Sequence, residues 1–130
     1  AEYFADDGWS DITVAFPVNV REFELINKLA GKIKLNLLVE SPAVAKILGE
    51  RVHQSAGVFI KIDSGYHRTG VDPADKTLID SILHEIKNAA TLSFRGFLTH
   101  AGHSYKARSR NEIEQVNDSS HDVMRAMREH

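Results

Sequence analysis

The chain has 130 residues, 42% hydrophobic and 26% charged, with 16 basic against 18 acidic side chains and a net charge of −2. That is the size of one domain, able to bury roughly two thirds of its unfolded surface, and it carries no basic block or cationic stripe suited to nucleic acid. The absence of cysteine excludes disulfides, thiolate catalysis and zinc–thiolate sites. No apolar run nears the roughly 20 residues of a membrane span and no signal-peptide pattern opens the chain, so a cytoplasmic location is expected. The first residue is Ala1 rather than Met and the last residues lie in a helical pattern; both ends read as cuts through a larger protein.

In chain order, residues 1–7 suit the tail of a helix, and Trp9 is expected to anchor the turn into a short apolar strand, 12–16, stopped by Pro17. Phe23, Ile26, Leu29 and Ala30 recur at helical spacing within 20–30, and Gly31 ends that helix. A second buried strand spans 33–39. Ser41-Pro42 is an N-cap followed by proline at the first helical position, opening a helix that runs to about His53. The third strand occupies 58–63, in a β-branched stretch apolar enough for burial on both faces. Asp72-Pro73 is expected to cap the central helix, whose apolar face is Leu78, Ile79, Ile82, Leu83 and Ile86. The fourth strand, 92–99, contains Gly96, expected to mark a close backbone approach. A final amphipathic helix over 109–130 is carried by Ile113, Val116, Val123, Met124 and Met127.

Strands separated by helices of this length require right-handed crossovers and a parallel sheet. The fold class is therefore α/β, either an open doubly wound sheet or an arc of a (β/α)8 TIM barrel. Four strand–helix units are half of one, since a complete barrel needs about 250 residues and eight units. A half barrel leaves its first and fourth strands unpaired. Association, domain swapping or poor solubility is the expected consequence.

Two stretches carry possible chemistry. Lys61-Ile-Asp-Ser-Gly-Tyr-His-Arg68 places two cations seven residues apart at the exit of the third strand. Buried parallel strands deliver functional side chains from their C-terminal ends, so the pair could grip an anion or cofactor; an ion pair in a solvated loop is the equal alternative. At the exit of the fourth strand, Thr99, His100, Gly102, His103, Ser104 and Tyr105 crowd together. A ligand phosphate would satisfy such polar density, with Gly102 letting backbone come close to it. His100 and His103 lack a third metal ligand at recognised spacing, so no metal site is assigned. A satisfied structural role suits His103 better than His100. His53, His84 and His121 are expected to be solvated. Glu112 and Glu114 sit on an exposed helix face, and Asn19 and Asn36 could be loop hydrogen-bonders or pocket residues.

Together, Lys61-Ile-Asp-Ser-Gly-Tyr-His-Arg-Thr-Gly-Val71, Leu98-Thr-His-Ala-Gly-His-Ser-Tyr105 and the opening Asp11-Ile-Thr-Val-Ala-Phe-Pro-Val18 resemble the fold-type III pyridoxal-phosphate enzymes, the alanine racemase N-terminal barrel family. The nearest likeness is to its D-serine dehydratase and D-threonine aldolase branch. The resemblance covers nearly all of residues 1–130 and implies the central part of such a barrel. It implies a pyridoxal-phosphate enzyme acting on a small D-amino acid, as dehydratase, aldolase or racemase, and homodimeric at full length. Arg68 would sit near the phenolic oxygen of the cofactor or the substrate carboxylate, His100 against the pyridine ring, and Tyr105 at the phosphate. Lys61 matches a strand lysine that some racemases modify to a carbamate. The Schiff-base lysine of the family lies on an earlier barrel strand, outside this chain. Without that lysine the piece by itself is expected to be inactive, and any divalent metal would be bound only by the longer protein. Two alternatives are a non-catalytic pyridoxal-phosphate carrier or homeostasis protein with the same barrel, and an unrelated α/β domain holding another phosphate ligand.

Overall fold

A computed structural model describes all residues, 1–130. Helix α1 (Glu2–Asp6) precedes four strand–helix units: β1 (Asp11–Pro17) and α2 (Phe23–Ala30), β2 (Lys34–Val39) and α3 (Pro42–Arg51), β3 (Ala56–Ile62) and α4 (Lys76–Asn88), β4 (Leu92–Thr99) and α5 (Arg110–Arg128). A 3₁₀ turn at Gly102–Lys106 leads into α5. The strands pair in parallel in the order β1-β2-β3-β4. This is half of a (β/α)8-type barrel, the expected fold class.

The alternation of side chains across the pleat gives the sheet two different faces. Leu35, Leu37 and Val39 of β2 and Ala56, Val58, Ile60 and Ile62 of β3 point to the helices and join Ala45, Leu48, Ile79, Ile82, Ile86 and Met127 in one apolar core. The intervening positions, Asn36 and Leu38 on β2 and Gly57, Phe59 and Lys61 on β3, face the barrel interior. That face is partly polar. Asn36 donates to Asp11 Oδ1 (3.0 Å) and Thr13 Oγ1 (3.3 Å), and Lys34 bridges to Asp11 at 2.6 Å. Gly57 is required beside Asn36, because a Cβ there would stand 2.1 Å from Asn36 Oδ1 and 2.8 Å from Arg95 Cγ.

Several boundaries differ from the sequence expectation, each for a local reason. Pro17 ends β1 from within, paired with Leu38 after a register shift; an edge strand tolerates a residue that cannot donate. Helix α2 starts at Phe23 rather than at 20, because Asn19 Oδ1 accepts from Arg21 N (3.1 Å) and holds a turn there. The cap of α4 is Asp75, which accepts from Leu78 N at 3.0 Å, while Asp72 binds Ala74 N in the preceding turn. Ser41 and Ser109 cap α3 and α5 as expected. On α5, Ile113 is 52% exposed and only Met127 of the expected apolar face is fully buried. Trp9 lies 59% exposed against Phe4 of α1, edge-on at 6.3 Å, and its backbone N–H donates to Phe4 O at 3.0 Å across the helix-to-strand turn. Gly96 adopts φ +135 at an irregularity between β3 and β4, and a Cβ there would be 3.8 Å from the Phe59 ring. Its backbone conformation, not crowding, calls for glycine. No helix is long and apolar enough to cross a membrane.

Packing of this kind makes substitutions unequal. Ile79→Ala, at a position with no exposure, should cost roughly 2–5 kcal/mol through lost transfer energy and a residual cavity. Ile47→Ala, 37% exposed on α3, should cost about 1 kcal/mol or less. Urea denaturation of the two variants checks the difference.

Candidate functional site

The C-terminal ends of β3 and β4 are built from two loops that hold each other. After Ile62 the chain turns out and comes back, so that Asp63 N donates to Val71 O (2.9 Å) and Val71 N to Lys61 O (2.8 Å). Within this loop Asp63 Oδ1 accepts the backbone N–H groups of Gly65, Tyr66 and His67 at 2.9, 3.0 and 3.0 Å. Its other oxygen lies 3.0 Å from His67 Nδ1. Burial pushes the Asp63 carboxyl up, but these amide donors and the neighbouring imidazole outweigh it and hold the group below its ordinary value of 3.8. The turn needs unusual backbone: Gly65 has φ +120, His67 +54 and Gly70 +112. Gly70 also closes the loop by contact, since a Cβ would stand 2.7 Å from Asp63 N. Its N–H donates to Glu40 Oε2 at 2.8 Å, tying the loop to the end of β2.

Lys61 is buried, 4% exposed, and its ammonium donates to Thr69 Oγ1 in the same loop. The seam to β4 is made by Thr99, whose hydroxyl donates to Ile62 O (2.9 Å) and lies 2.8 Å from the buried Ser64 hydroxyl.

Above that seam the aromatic groups converge on Tyr66. The Arg68 guanidinium lies over its ring at 4.8 Å. His100 meets the same ring edge-on, with centroids 5.9 Å apart, and His103 approaches it at 6.4 Å. Gly102 sits against Tyr66 so closely that a Cβ would be 2.5 Å from the ring and 2.8 Å from His100 Nε2. Tyr105 lies 69% exposed, its hydroxyl 3.4 Å from His100 Nε2. His103 Nδ1 is buried with no hydrogen-bond partner, so His103 is not the satisfied structural histidine expected of it. The result is an exposed arginine without a carboxylate partner, a platform of flat rings and an orphaned buried imidazole nitrogen. Such a set suits an anionic, planar ligand.

Residues 12–129 match the family described as alanine racemase, N-terminal domain. The chain belongs to that family. It is 32% identical over 109 residues to an uncharacterised protein of Mycobacterium tuberculosis, covering 80% of this chain and 61% of that protein. It is 39% identical over 62 residues to D-serine dehydratase of Dictyostelium discoideum, 45% of this chain and 15% of the dehydratase. The fold superposes on D-threo-3-hydroxyaspartate dehydratase from Delftia sp. HT23 with a TM-score of 0.88 and 25% identity, across 98% of this chain and 35% of that one. The chain thus spans about three fifths of the mycobacterial relative and about a third of the dehydratase structure. The resemblance to the fold-type III pyridoxal-phosphate family holds, and both D-serine dehydratase and D-threonine aldolase are among the proteins the chain is similar to.

Of the residues expected at the site, Arg68 and His100 meet on Tyr66, and Tyr105 joins through His100. Lys61 stands apart from them, below the loop, with Thr69. Tyr66, Asp63, Thr69, Gly70 and Glu40 were not singled out from sequence. Tyr66 lay inside the quoted motif, but nothing in spacing marks it as the ring on which the others gather.

Two outcomes follow from the loop. Gly70→Ala meets backbone and a φ foreign to alanine, and should destabilise by roughly 2 kcal/mol or more; thermal melting of the variant checks it. The Asp63 carboxyl is depressed in the fold, so its stabilising contribution is present above the ordinary aspartate pKa and is lost as pH falls through the lower folded value. The stability difference between the unsubstituted chain and Asp63→Asn should therefore be constant from about pH 5 upward and shrink below about pH 4. A difference that changes instead between pH 6 and 8 would assign the effect to another group.

Proposed function

We propose that this chain forms part of the pyridoxal-phosphate site of an enzyme acting on D-amino acids, a dehydratase, aldolase or racemase. The observation that carries the reading is the meeting of Arg68 and His100 on Tyr66, with Tyr105 against His100, at the C-terminal ends of two adjacent parallel strands. Barrels of this kind place their active sites at that end. The cofactor, when bound, supplies an electron sink for chemistry at the substrate α-carbon.

The residues present fit that group. Arg68 offers a fixed cation, with no carboxylate competing for it, to a phenolate or carboxylate oxygen. His100 and Tyr66 offer faces and edges for a flat ring. Tyr105, exposed beside His100, offers a hydroxyl donor to a phosphate oxygen, and the unpartnered His103 Nδ1 offers a further polar contact. Lys61 does not serve as the Schiff-base lysine in this reading: its amine is buried and bonded to Thr69, and its role is to hold the Arg68 loop closed. The 130 residues then bind the cofactor without turning over substrate, the lysine coming from elsewhere in the longer protein. A small D-amino acid would enter beside Arg68.

Equilibrium dialysis with pyridoxal phosphate and with pyridoxal tests the reading. Saturable binding is expected, weakened at least about tenfold by Arg68→Ala, the loss of one charge-assisted contact. His100→Ala should weaken both ligands alike, and Tyr105→Phe only the phosphorylated one. Equal affinity in all variants would remove these residues from the site. Turnover of D-serine or D-threonine by the 130-residue chain would overturn the assignment of the lysine to another segment.

A further inference from the structure

The Arg68 guanidinium is exposed, and what it meets is the face of Tyr66, 4.8 Å from the ring centroid. The carboxylates on and beside its loop are committed elsewhere. Asp63 accepts three backbone N–H groups with one oxygen and faces His67 Nδ1 at 3.0 Å with the other. Glu40 takes the Gly70 N–H at 2.8 Å, and Asp72 takes that of Ala74 at 2.8 Å. Lys61 donates to Thr69 and makes no bond to the arginine. Tyr66 itself is half-buried and held from several directions. Its backbone N–H is bonded to Asp63, Gly102 presses on the ring edge at Cε1 and Cδ1, and His100 and His103 lie 5.9 and 6.4 Å from it. The protein supplies no hydrogen-bond partner to the Tyr66 hydroxyl, so it is the ring that these contacts use.

We propose that Tyr66 is the positioning residue for Arg68: its ring holds the guanidinium at the exit of β3 and presents an unneutralised charge to the anionic group of the ligand. The inference rests on the cofactor reading above, in which Arg68 meets a phenolate or carboxylate oxygen. A carboxylate partner would fix the arginine equally well, but it would cancel the charge that the ligand needs. An arginine left in water would keep its charge, but its rotamer freedom would be lost on binding. A ring face avoids both costs, because it attracts the cation through its quadrupole and carries no net charge. The planar guanidinium suits such stacking better than a compact ammonium would. Since the ring leans on Gly102 and His100, the place of the charge is set jointly by the exits of β3 and β4. The backbone amides that occupy Asp63 and Glu40 belong to the same device, for they keep both acids from the arginine.

A double-mutant cycle on the affinity for pyridoxal phosphate tests the assignment, with Tyr66→Leu, Arg68→Ala and the two combined. Tyr66→Leu should weaken binding about two- to fivefold, the worth of an exposed cation–π contact. Most of that loss should vanish once Arg68 is alanine. Tyr66→Phe, which keeps the face, should restore most of what Tyr66→Leu loses. Phenylalanines bearing successive ring fluorines at position 66 keep the shape while draining the π-face, so affinity should fall stepwise along the series. The slope should flatten in the Arg68→Ala background. A ring that only fills space would not respond to fluorine, and the series keeps the test open should Tyr66→Leu fail to fold. Three results would each overturn the assignment: no rescue by Tyr66→Phe, a Tyr66→Leu loss that persists in full beside Arg68→Ala, or equal affinity across the fluorine series. The two readings fail differently. Arg68→Ala without effect removes the cofactor reading and this inference with it, whereas a loss with Arg68→Ala and none with Tyr66→Leu removes this inference alone.

Discussion

The upper end of this sheet depends on the return of the chain from Asp63 to Val71. Two backbone bonds, Asp63 N to Val71 O and Val71 N to Lys61 O, make residue 71 a short extension of the β3 ladder. Without them Arg68 and Tyr66 would lie on a free loop, and ordering each residue of it costs roughly 1–2 kcal/mol of backbone entropy. The loop recovers that cost locally. One carboxylate oxygen gathers three amides, Lys61 donates to Thr69, and Glu40 takes the Gly70 amide. Hydrogen bonds to a charged acceptor contribute about 1.5–3 kcal/mol each, which offsets much of that cost.

The same accounting explains why the ring cluster has a definite shape. Arg68 over the face of Tyr66 and His100 at its edge are weak contacts singly, about 0.5–1 kcal/mol at an exposed site. They do not build the loop; they register it against the exit of β4, which the Thr99–Ser64 contact has already brought close. Pre-organisation of this order lowers the entropy a bound ligand must overcome.

Much of the framework was legible in the sequence because it rests on local chemistry. The apolar runs of β2 and β3, the Ser41-Pro42 start of α3 and the Ser109 start of α5 are decided by adjacent residues. The parallel direction of the strands followed from the helical length of the crossovers, while the choice of a barrel arc over a doubly wound sheet came from the family resemblance. What was not legible depends on contacts through space. Asp72 and Asp75 are equally good caps on paper, and only the position of the turn decides between them. Gly70 reads as any loop glycine until its neighbours Ile62 and Asp63 are known. Ile113 has the right spacing for a core position, yet α5 reaches the core only through Val123, Met124 and Met127 near its end. Arg68 and His100 were recognisable by their motifs, whereas the ring that joins them was not.

The inner face of the sheet sets a condition on whatever completes it. Its lower level holds Asp11, Thr13, Asn36 and Arg95, and its upper level holds Lys61. Lys34 keeps Asp11 below its ordinary carboxylate range through a short hydrogen bond and its charge, with a smaller contribution from Arg95. Asn36 is already 4% exposed with its Oδ1 unpartnered. A covering layer of purely apolar side chains would strip water from Asp11 and Arg95 and return nothing, a loss larger than the gain from burying Phe59. The polarity of the inner face thus requires polar partners from whatever covers it.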